Sequence, residues 1–245
     1  MSALALRIFA CVCMLLDHIG YCFPQLYYLR YVGRLAFPLF VFLIVNGYEH
    51  TSSRLRYALR LALFAVISQV PFTIFCGYSS FLHKGNVFFT LLCALLVLWA
   101  TDGMLKNKVL RWVCFLPSLA AVVLFHFGIL SSDYGLKGIL LALTFRYLYR
   151  SKLLTVLGTF VSVFFPQLVS YGLQCYHLLQ GREEIFQPPS DWALTQAFSL
   201  LALIPIFLYN GKRGRMPENK FAAKAVQWGF YLFYPLHMLL LYLLP

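Results

Sequence analysis

The sequence predicts an all-α fold: a polytopic membrane helix bundle of about nine transmembrane helices, forming a single domain over residues 1–245. Three observations predict it. The 245 residues are 61% hydrophobic and 11% charged, with 18% aromatic and a mean hydropathy of +0.76, more apolar surface than a soluble domain of this length can hide. The apolar residues come in long runs, most near the roughly 20 residues a bilayer crossing needs. The basic residues cluster between alternate runs. The net charge of +12 is therefore the signature of loops on the inner side of a membrane, not of a nucleic-acid surface.

Taken in order, the runs fall at 4–23, 34–48, 57–76, 86–101, 110–130, 134–149, 153–177, 193–209 and 222–244. The first resembles a signal peptide at its start. It continues through Asp17 and His18 without a small-residue cleavage site and is read as a retained span. The second, fourth and sixth are short, and aromatic ends such as Tyr147 and Tyr149 would carry them to the interface. The seven cysteines lie in or at the ends of apolar runs, with no CxxC and no paired metal spacing, so neither a disulfide nor a metal site is expected.

Orientation follows from the loops. Arg54, Arg56 and Arg60 follow span two, and Lys106, Lys108 and Arg111 follow span four. Arg146, Arg150 and Lys152 follow span six, and Lys212, Arg213, Arg215, Lys220 and Lys224 follow span eight, which places 14 of the 20 basic residues on alternate loops. The remaining loops hold Arg30, Arg34, Lys84, Lys137 and Arg182, with Asp133, Glu183, Glu184 and Asp191. The expected topology puts the N-terminus inside and the C-terminus outside the plasma membrane of a prokaryote.

Ionisable residues inside apolar runs point to function. Arg7 and His18 are eleven residues apart in the first span, which returns to nearly the same helix face after a rise of roughly 16 Å. Cys11 and Met14 lie between them on that stripe. Arg7 alone reads equally well as a snorkelling anchor. The Asp17–His18 pair is costlier to bury, and such groups normally face a cavity. Counted from the inner end, His18, Gln69, Gln167 and His237 share one level, with Asp17 beside His18. Arg34, Asn86, Asp133 and Gln196 begin their spans a little above it. A polar chamber in the outer third of the membrane gives unrelated helices a reason to place polar groups in one layer. Pro38 and Pro235 would each release a backbone carbonyl near that layer. On the inner side, His50 and the Arg54, Arg56 and Arg60 cluster, with NGKRGR at 210–215, satisfy the topology rule. They also offer guanidinium forks to phosphate.

A ligand with a phosphorylated end inside and a reactive end deep in the bilayer fits coenzyme A. Its nucleotide would lie by Arg7, His50, Arg54 and Arg60, and its arm along the stripe toward His18. Imidazole suits the removal of a proton from an amine or hydroxyl near neutral pH. Asp17 would either hold the His18 tautomer or pair with Arg34, since neighbours on a helix diverge by 100°. Arg34, Asn86 or Tyr234 would donate to the oxyanion of a tetrahedral intermediate. The reaction class expected from the residues is acyl transfer from a cytoplasmic thioester to an outer acceptor. A P-loop, GxGxxG, GxSxG and HExxH are absent from the sequence.

The segments MLLDHIGYCF, GRLAFPLFVFLIVNGYEHT, ALFAVISQVPF, NVFFTLL, DYGLKGILL, LALIPIFLYNGKRG and FYPLHMLLLYLL resemble, in this order, the TraX family. That family is named for a conjugal-transfer protein that acetylates the N-terminus of pilin. The chain is also similar to the wider transmembrane acyltransferase superfamily, whose O-antigen O-acetylases carry an Arg, ten residues and a His in their first helix. Arg7 and His18 match that spacing, and Phe37–Phe42 resembles the second helix of the heparan N-acetyltransferase. The resemblance implies acetyl-CoA as co-substrate, His18 as catalytic, and Arg7 at the coenzyme phosphates. It further implies roles for Arg34, Asp17, Asn86, Asp133, Tyr134 and His237 around the substrate. The expected partners are a coenzyme A thioester, a peptide or glycan acceptor at the outer face, and membrane lipids, with no nucleic acid. The other reading of the polar layer is a proton-coupled transporter or flippase, for which Asp17, His18 and His237 would form the relay.

Overall fold

A computed structural model describes residues 1–81, 83–106, 132–180, 191–215 and 217–244. The expected span at 110–130 lies outside the described residues. The ordered elements are helical: α1 (Ala3–Cys22), a 3-10 turn (Pro24–Leu26), α2 (Leu29–Gly33), α3 (Ala36–His50), α4 (Arg54–Phe75) and α5 (Val87–Lys106) come first. After them come α6 (Gly135–Tyr147), α7 (Lys152–Leu179), α8 (Asp191–Ala197), a second 3-10 turn (Phe198–Ala202), α9 (Leu203–Phe207) and α10 (Lys220–Tyr242). Among the described residues, extended pairing is limited to an isolated bridge between Gly85 and Ser132.

Local chemistry sets the boundaries. Ser2 caps α1 by accepting from the Ala5 N–H at 3.3 Å, and Ser53 caps α4 through the Arg56 N–H at 3.3 Å. Asn219 caps α10 by accepting from the Phe221 N–H at 2.8 Å. These oxygens satisfy N–H groups that the first helical turn leaves without partners. Pro24 ends α1 and opens the short turn that follows. Pro38 lies in the first turn of α3, where its missing N–H costs little, so the break in this segment falls earlier, between α2 and α3. Pro235 and Pro71 sit within α10 and α4.

Among the described residues, three helices are long and apolar enough to cross a bilayer: Ala3–Cys22, Leu29–His50 taken across its break, and Arg54–Phe75. A fourth crossing results if the halves of α7, Lys152–Phe165 and Gln167–His177, count as one span bent by 68°, with Pro166 between them. The expected nine continuous spans are not reached among the described residues, for identifiable reasons. α6 has 13 residues, about 20 Å of helix. The 193–209 run is divided into α8, a 3-10 turn and α9. α10 has 23 residues, yet Gln227, Trp228, Tyr231, Tyr234 and His237 lower its apolar character.

The arrangement is a ring around α3. α1 packs on α10, α10 on α4, α4 on α5, α5 on α6 and α6 on α7. The second 3-10 turn then leads back from α7 to α2, while α3 touches α1, α5, α6 and α9 from within. Accordingly α3 is buried nearly all round, from Ala36 through Val45, whereas α4 presents Leu55, Leu59, Leu63, Val66 and Val70 outward. Such an apolar outer stripe is stable in lipid, where close packing rather than water exclusion holds helices together. Gly33 is one such close contact. A Cβ on it would lie 2.4 Å from the Asp17 Cβ, so the absent side chain lets α2 press against α1.

Gly33→Ala should therefore separate α1 from α2 and lower the thermal unfolding midpoint in detergent, corresponding to about 1–3 kcal/mol of overpacking. Gly172→Ala, where a Cβ meets nothing within 4 Å, should leave the midpoint unchanged or slightly raised.

Candidate functional site

Two cavities are set end to end along α1. The first, of about 710 Å³, is lined by Asp17, His18 and Tyr21 from α1, by Arg30 and Arg34 around α2, and by Phe37 and Phe40 from α3. Lys84, Asp133, Tyr134, Lys137, Gln196 and Tyr234 complete its polar wall. The second, of about 580 Å³, is lined by Arg7, His50, Arg56, Arg60 and Arg213, with Asn46, Tyr57 and Gln227. Met14, Phe40, Val87 and Tyr234 border both cavities. They form the partition between a basic compartment and one of mixed charge.

His18, on the wall of the first cavity, makes a short polar contact with His237. His18 Nδ1 lies 2.6 Å from His237 Nε2, with the two ring planes within 13° of each other and the centroids 4.9 Å apart. His237 Nδ1 is in turn 2.6 Å from the Phe233 carbonyl oxygen, one turn back along α10. His237 is buried and does not line the cavity. The His18 ring therefore stands between the cavity and His237, packed on Phe75 at 5.1 Å.

Asp17 turns away from its neighbour. Its Oδ1 accepts from Arg34 Nη2 at 2.6 Å and lies 3.8 Å from Arg30 Nε. Of the two roles open to Asp17, the geometry selects the pair with Arg34. Arg34 is 7% exposed, and a charge so buried is tolerable only with a partner. The side-chain atoms buried without a hydrogen-bond partner include Arg34 Nε, Gln196 Nε2 and the Tyr234 hydroxyl. All three belong to residues that border the first cavity, and buried donors left open in this way suit an acceptor atom arriving from a ligand. Lys84 donates to Asp133 Oδ1 at 3.0 Å on the far wall, and Tyr134 stacks on Phe37 with centroids 3.5 Å apart.

In the second cavity Arg7 lies 5.2 Å over the Phe230 ring and Arg60 5.5 Å over Tyr57. Arg213 is carried there by backbone stitching: the Ala3 and Leu4 N–H groups donate to the Lys212 and Arg213 carbonyls at 2.9 and 3.0 Å, and Asn210 N–H donates to the Met1 carbonyl at 2.9 Å. Arg7, Arg56, Arg60 and Arg213 with His50 give phosphate oxygens several forks in one compartment.

The structure relocates three of the expected site residues. Asn86, expected as an oxyanion donor, lies outside both cavities. Both its amide hydrogens are taken up, by the Ala65 carbonyl at 2.7 Å and Gln69 Oε1 at 2.9 Å, while its oxygen caps α5 by accepting from the Phe88 N–H at 3.0 Å. Arg54, expected beside the coenzyme, is instead 3.5 Å from Asp102 and stacked over Tyr48 at 4.4 Å. It joins a network in which Arg146 bridges Asp102 at 3.3 Å and Glu49 at 2.9 Å. Cys11 leaves the Arg7–His18 stripe and faces an apolar groove between α1 and α10. Arg56 and Arg213, read in the sequence only as members of the inner basic clusters, line the second cavity, and Lys137, which had no place in the expected site, lines the first. Arg56 stands one turn before Arg60 on α4, and that spacing was a usable signal; nothing local marked Lys137.

The family model described as TraX protein matches residues 2–245. A relative from Dichelobacter nodosus, the probable fimbrial assembly protein FimC, serogroup H1, is 29% identical over 255 residues, covering 98% of this chain and 94% of its own. No solved structure matches.

Asp17→Asn should strand the buried Arg34 charge and lower the thermal unfolding midpoint, a loss on the order of 3–5 kcal/mol. Adding Arg34→Gln to that variant should restore most of the loss, which a double-mutant comparison of unfolding midpoints in detergent would show.

Proposed function

The chain belongs to the TraX family, and from that membership and the two joined cavities we propose an integral-membrane acyltransferase. It carries an acetyl group from cytoplasmic acetyl-CoA to an amine or hydroxyl on the outer side of a prokaryotic plasma membrane. The observation that carries the reading is the pairing of compartments along one helix: a basic one holding Arg7 and, beyond a partition, one holding His18. The proposed topology has about nine crossings, with the N-terminus and the Arg7 compartment inside and the C-terminus outside, as the basic loops favour. The fimbrial assembly role in the relative's name favours a pilin or similar surface peptide as acceptor, ahead of a glycan.

In this mechanism the coenzyme phosphates lie among Arg7, Arg56, Arg60 and Arg213 with His50, and the thioester passes the Met14–Tyr234 partition to reach His18. His18 Nε2 takes the proton from the acceptor nitrogen or oxygen as that atom bonds to the thioester carbonyl carbon. The oxyanion receives hydrogen bonds from Tyr234 and Gln196, whose donors are otherwise open, with Arg34 adding positive charge. Collapse breaks the carbon–sulfur bond, and the His18 imidazolium returns its proton to the leaving thiolate. The products are the acetylated acceptor and free coenzyme A thiol, and His18 ends neutral. Asp133 and Tyr134, which line the same cavity, hold the acceptor in this reading.

Purified protein incubated with acetyl-CoA should release thiol, accelerated by an amine acceptor, and His18→Ala should reduce release to background while remaining folded, as circular dichroism in detergent would show. Arg7→Ala and Arg60→Ala should raise KM for acetyl-CoA roughly tenfold each, as expected when a charged hydrogen bond is lost, with kcat largely kept. Near-wild-type turnover by His18→Ala would sink the assignment. Solute flux across vesicles without thioester consumption would favour a proton-coupled transporter.

A further inference from the structure

The hydrogen-bond chain behind His18 has a single consistent arrangement of protons when both rings are neutral. A carbonyl oxygen only accepts, so at 2.6 Å from the Phe233 oxygen the His237 Nδ1 carries a hydrogen and donates it. A neutral imidazole has one N–H, so His237 Nε2 presents a lone pair. That lone pair lies 2.6 Å from His18 Nδ1, which must then be the protonated nitrogen of its ring. His18 Nε2 is left bare on the ring that borders the cavity.

We infer that His237 is a positioning residue that fixes His18 in the Nδ1–H tautomer and so makes His18 Nε2 the base. The role resembles in kind the one a carboxylate fills when it orients a catalytic imidazole, except that a neutral ring anchored on a backbone carbonyl fills it here. The arrangement also accounts for where Asp17 goes. Asp17 is taken by Arg34 at 2.6 Å, so the tautomer of His18 has to be set from another helix. A neutral orienter suits an apolar setting. When His18 gains a proton at Nε2, its Nδ1–H bond to His237 becomes charge-assisted and strengthens, while no negative charge has to be held buried between turnovers. Phe233 contributes twice, since its ring stacks on His237 at 4.8 Å between centroids while its carbonyl accepts the proton.

The activity consequence rests on the acyltransferase reading; the tautomer does not. Two measurements separate them. Nitrogen-15 NMR of protein labelled in its six histidine side chains, with His18 assigned through a His18→Gln variant, reads which ring nitrogen is protonated. Wild-type His18 should show a protonated Nδ1 and a bare Nε2. His237→Leu should mix the tautomers and lower acetyl transfer about a hundredfold, at the small end of general-base contributions, with KM for acetyl-CoA unchanged. His237→Gln can accept through Oε1 and donate through Nε2, and should restore the His18 signature and most of the lost rate. A bare Nδ1 on wild-type His18 would overturn the inference even if His237→Leu failed to fold. So would an unaltered His18 signature and rate in a folded His237→Leu. If the tautomer responds as expected while no variant releases thiol, the inference stands and the acyltransferase reading falls.

Discussion

The contact between Asp17 and Arg34 is what the rest of the structure depends on. Neither charge is tolerable alone in an apolar interior. Together at 2.6 Å they join the C-terminal half of α1 to the break between α2 and α3, where Gly33 permits the backbones to approach. That junction holds α2, the first part of the Leu29–His50 span, against α1. The first cavity lies beside this junction, and His18, the residue after Asp17, is delivered to its wall.

Adjacent residues on a helix point about 100° apart, so Asp17 and His18 cannot serve the same partner. One reaches Arg34 and the other His237. The two contacts tie α1 to opposite neighbours, α2 on one side and α10 on the other, and a small rotation of α1 would break both. Orientation of the imidazole is thus a property of the helix packing as much as of any single bond. A second set of charges, Asp102 with Arg54, Arg146 and Tyr48, clamps α3, α4, α5 and α6 at the end of the bundle where the basic cavity lies. Each of its cations has an anion within reach, which leaves Arg7, Arg56, Arg60 and Arg213 as the basic residues lining that cavity.

Much of this was legible in the sequence because cost is legible there. Apolar runs gave the helices, and α1 and α4 fall within a residue or three of the expected 4–23 and 57–76. An aspartate and a histidine deep in a run pointed to a cavity, and the Arg7–His18 spacing pointed to the two ends of one long ligand. Partner choice was not legible, since it is set by which helices meet. Asn86 sat at the right depth, but capping α5 and bonding Gln69 use all of its amide. Arg54 belonged to the right cluster but faces Asp102. Pro38 was expected to interrupt a helix that in fact begins two residues before it. His237 carried a signal of depth, which placed it near the site, and none of direction, which would have placed it behind His18.

The partition between the cavities has its own logic. Met14, Phe40, Val87 and Tyr234 are bulky and mostly apolar, and charged residues line the cavities on both sides of them. A continuous polar channel through the bundle would leak protons and ions. An apolar septum one side chain thick blocks them, because a hydrated charge cannot cross without shedding water. A narrow unbranched arm can pass where a hydrated ion cannot, provided the side chains can move aside. Met14 is suited to that, with three rotatable bonds and a polarizable sulfur. Tyr234 supplies the septum's polar atom, and its unpartnered buried hydroxyl belongs to a residue that borders the His18 side as well. In an enzyme with donor and acceptor on opposite faces, the group that seals the membrane between turnovers and the group that donates to the oxyanion during one can then be the same side chain. Sealing and chemistry are in that case coupled through a single residue rather than through a hinge.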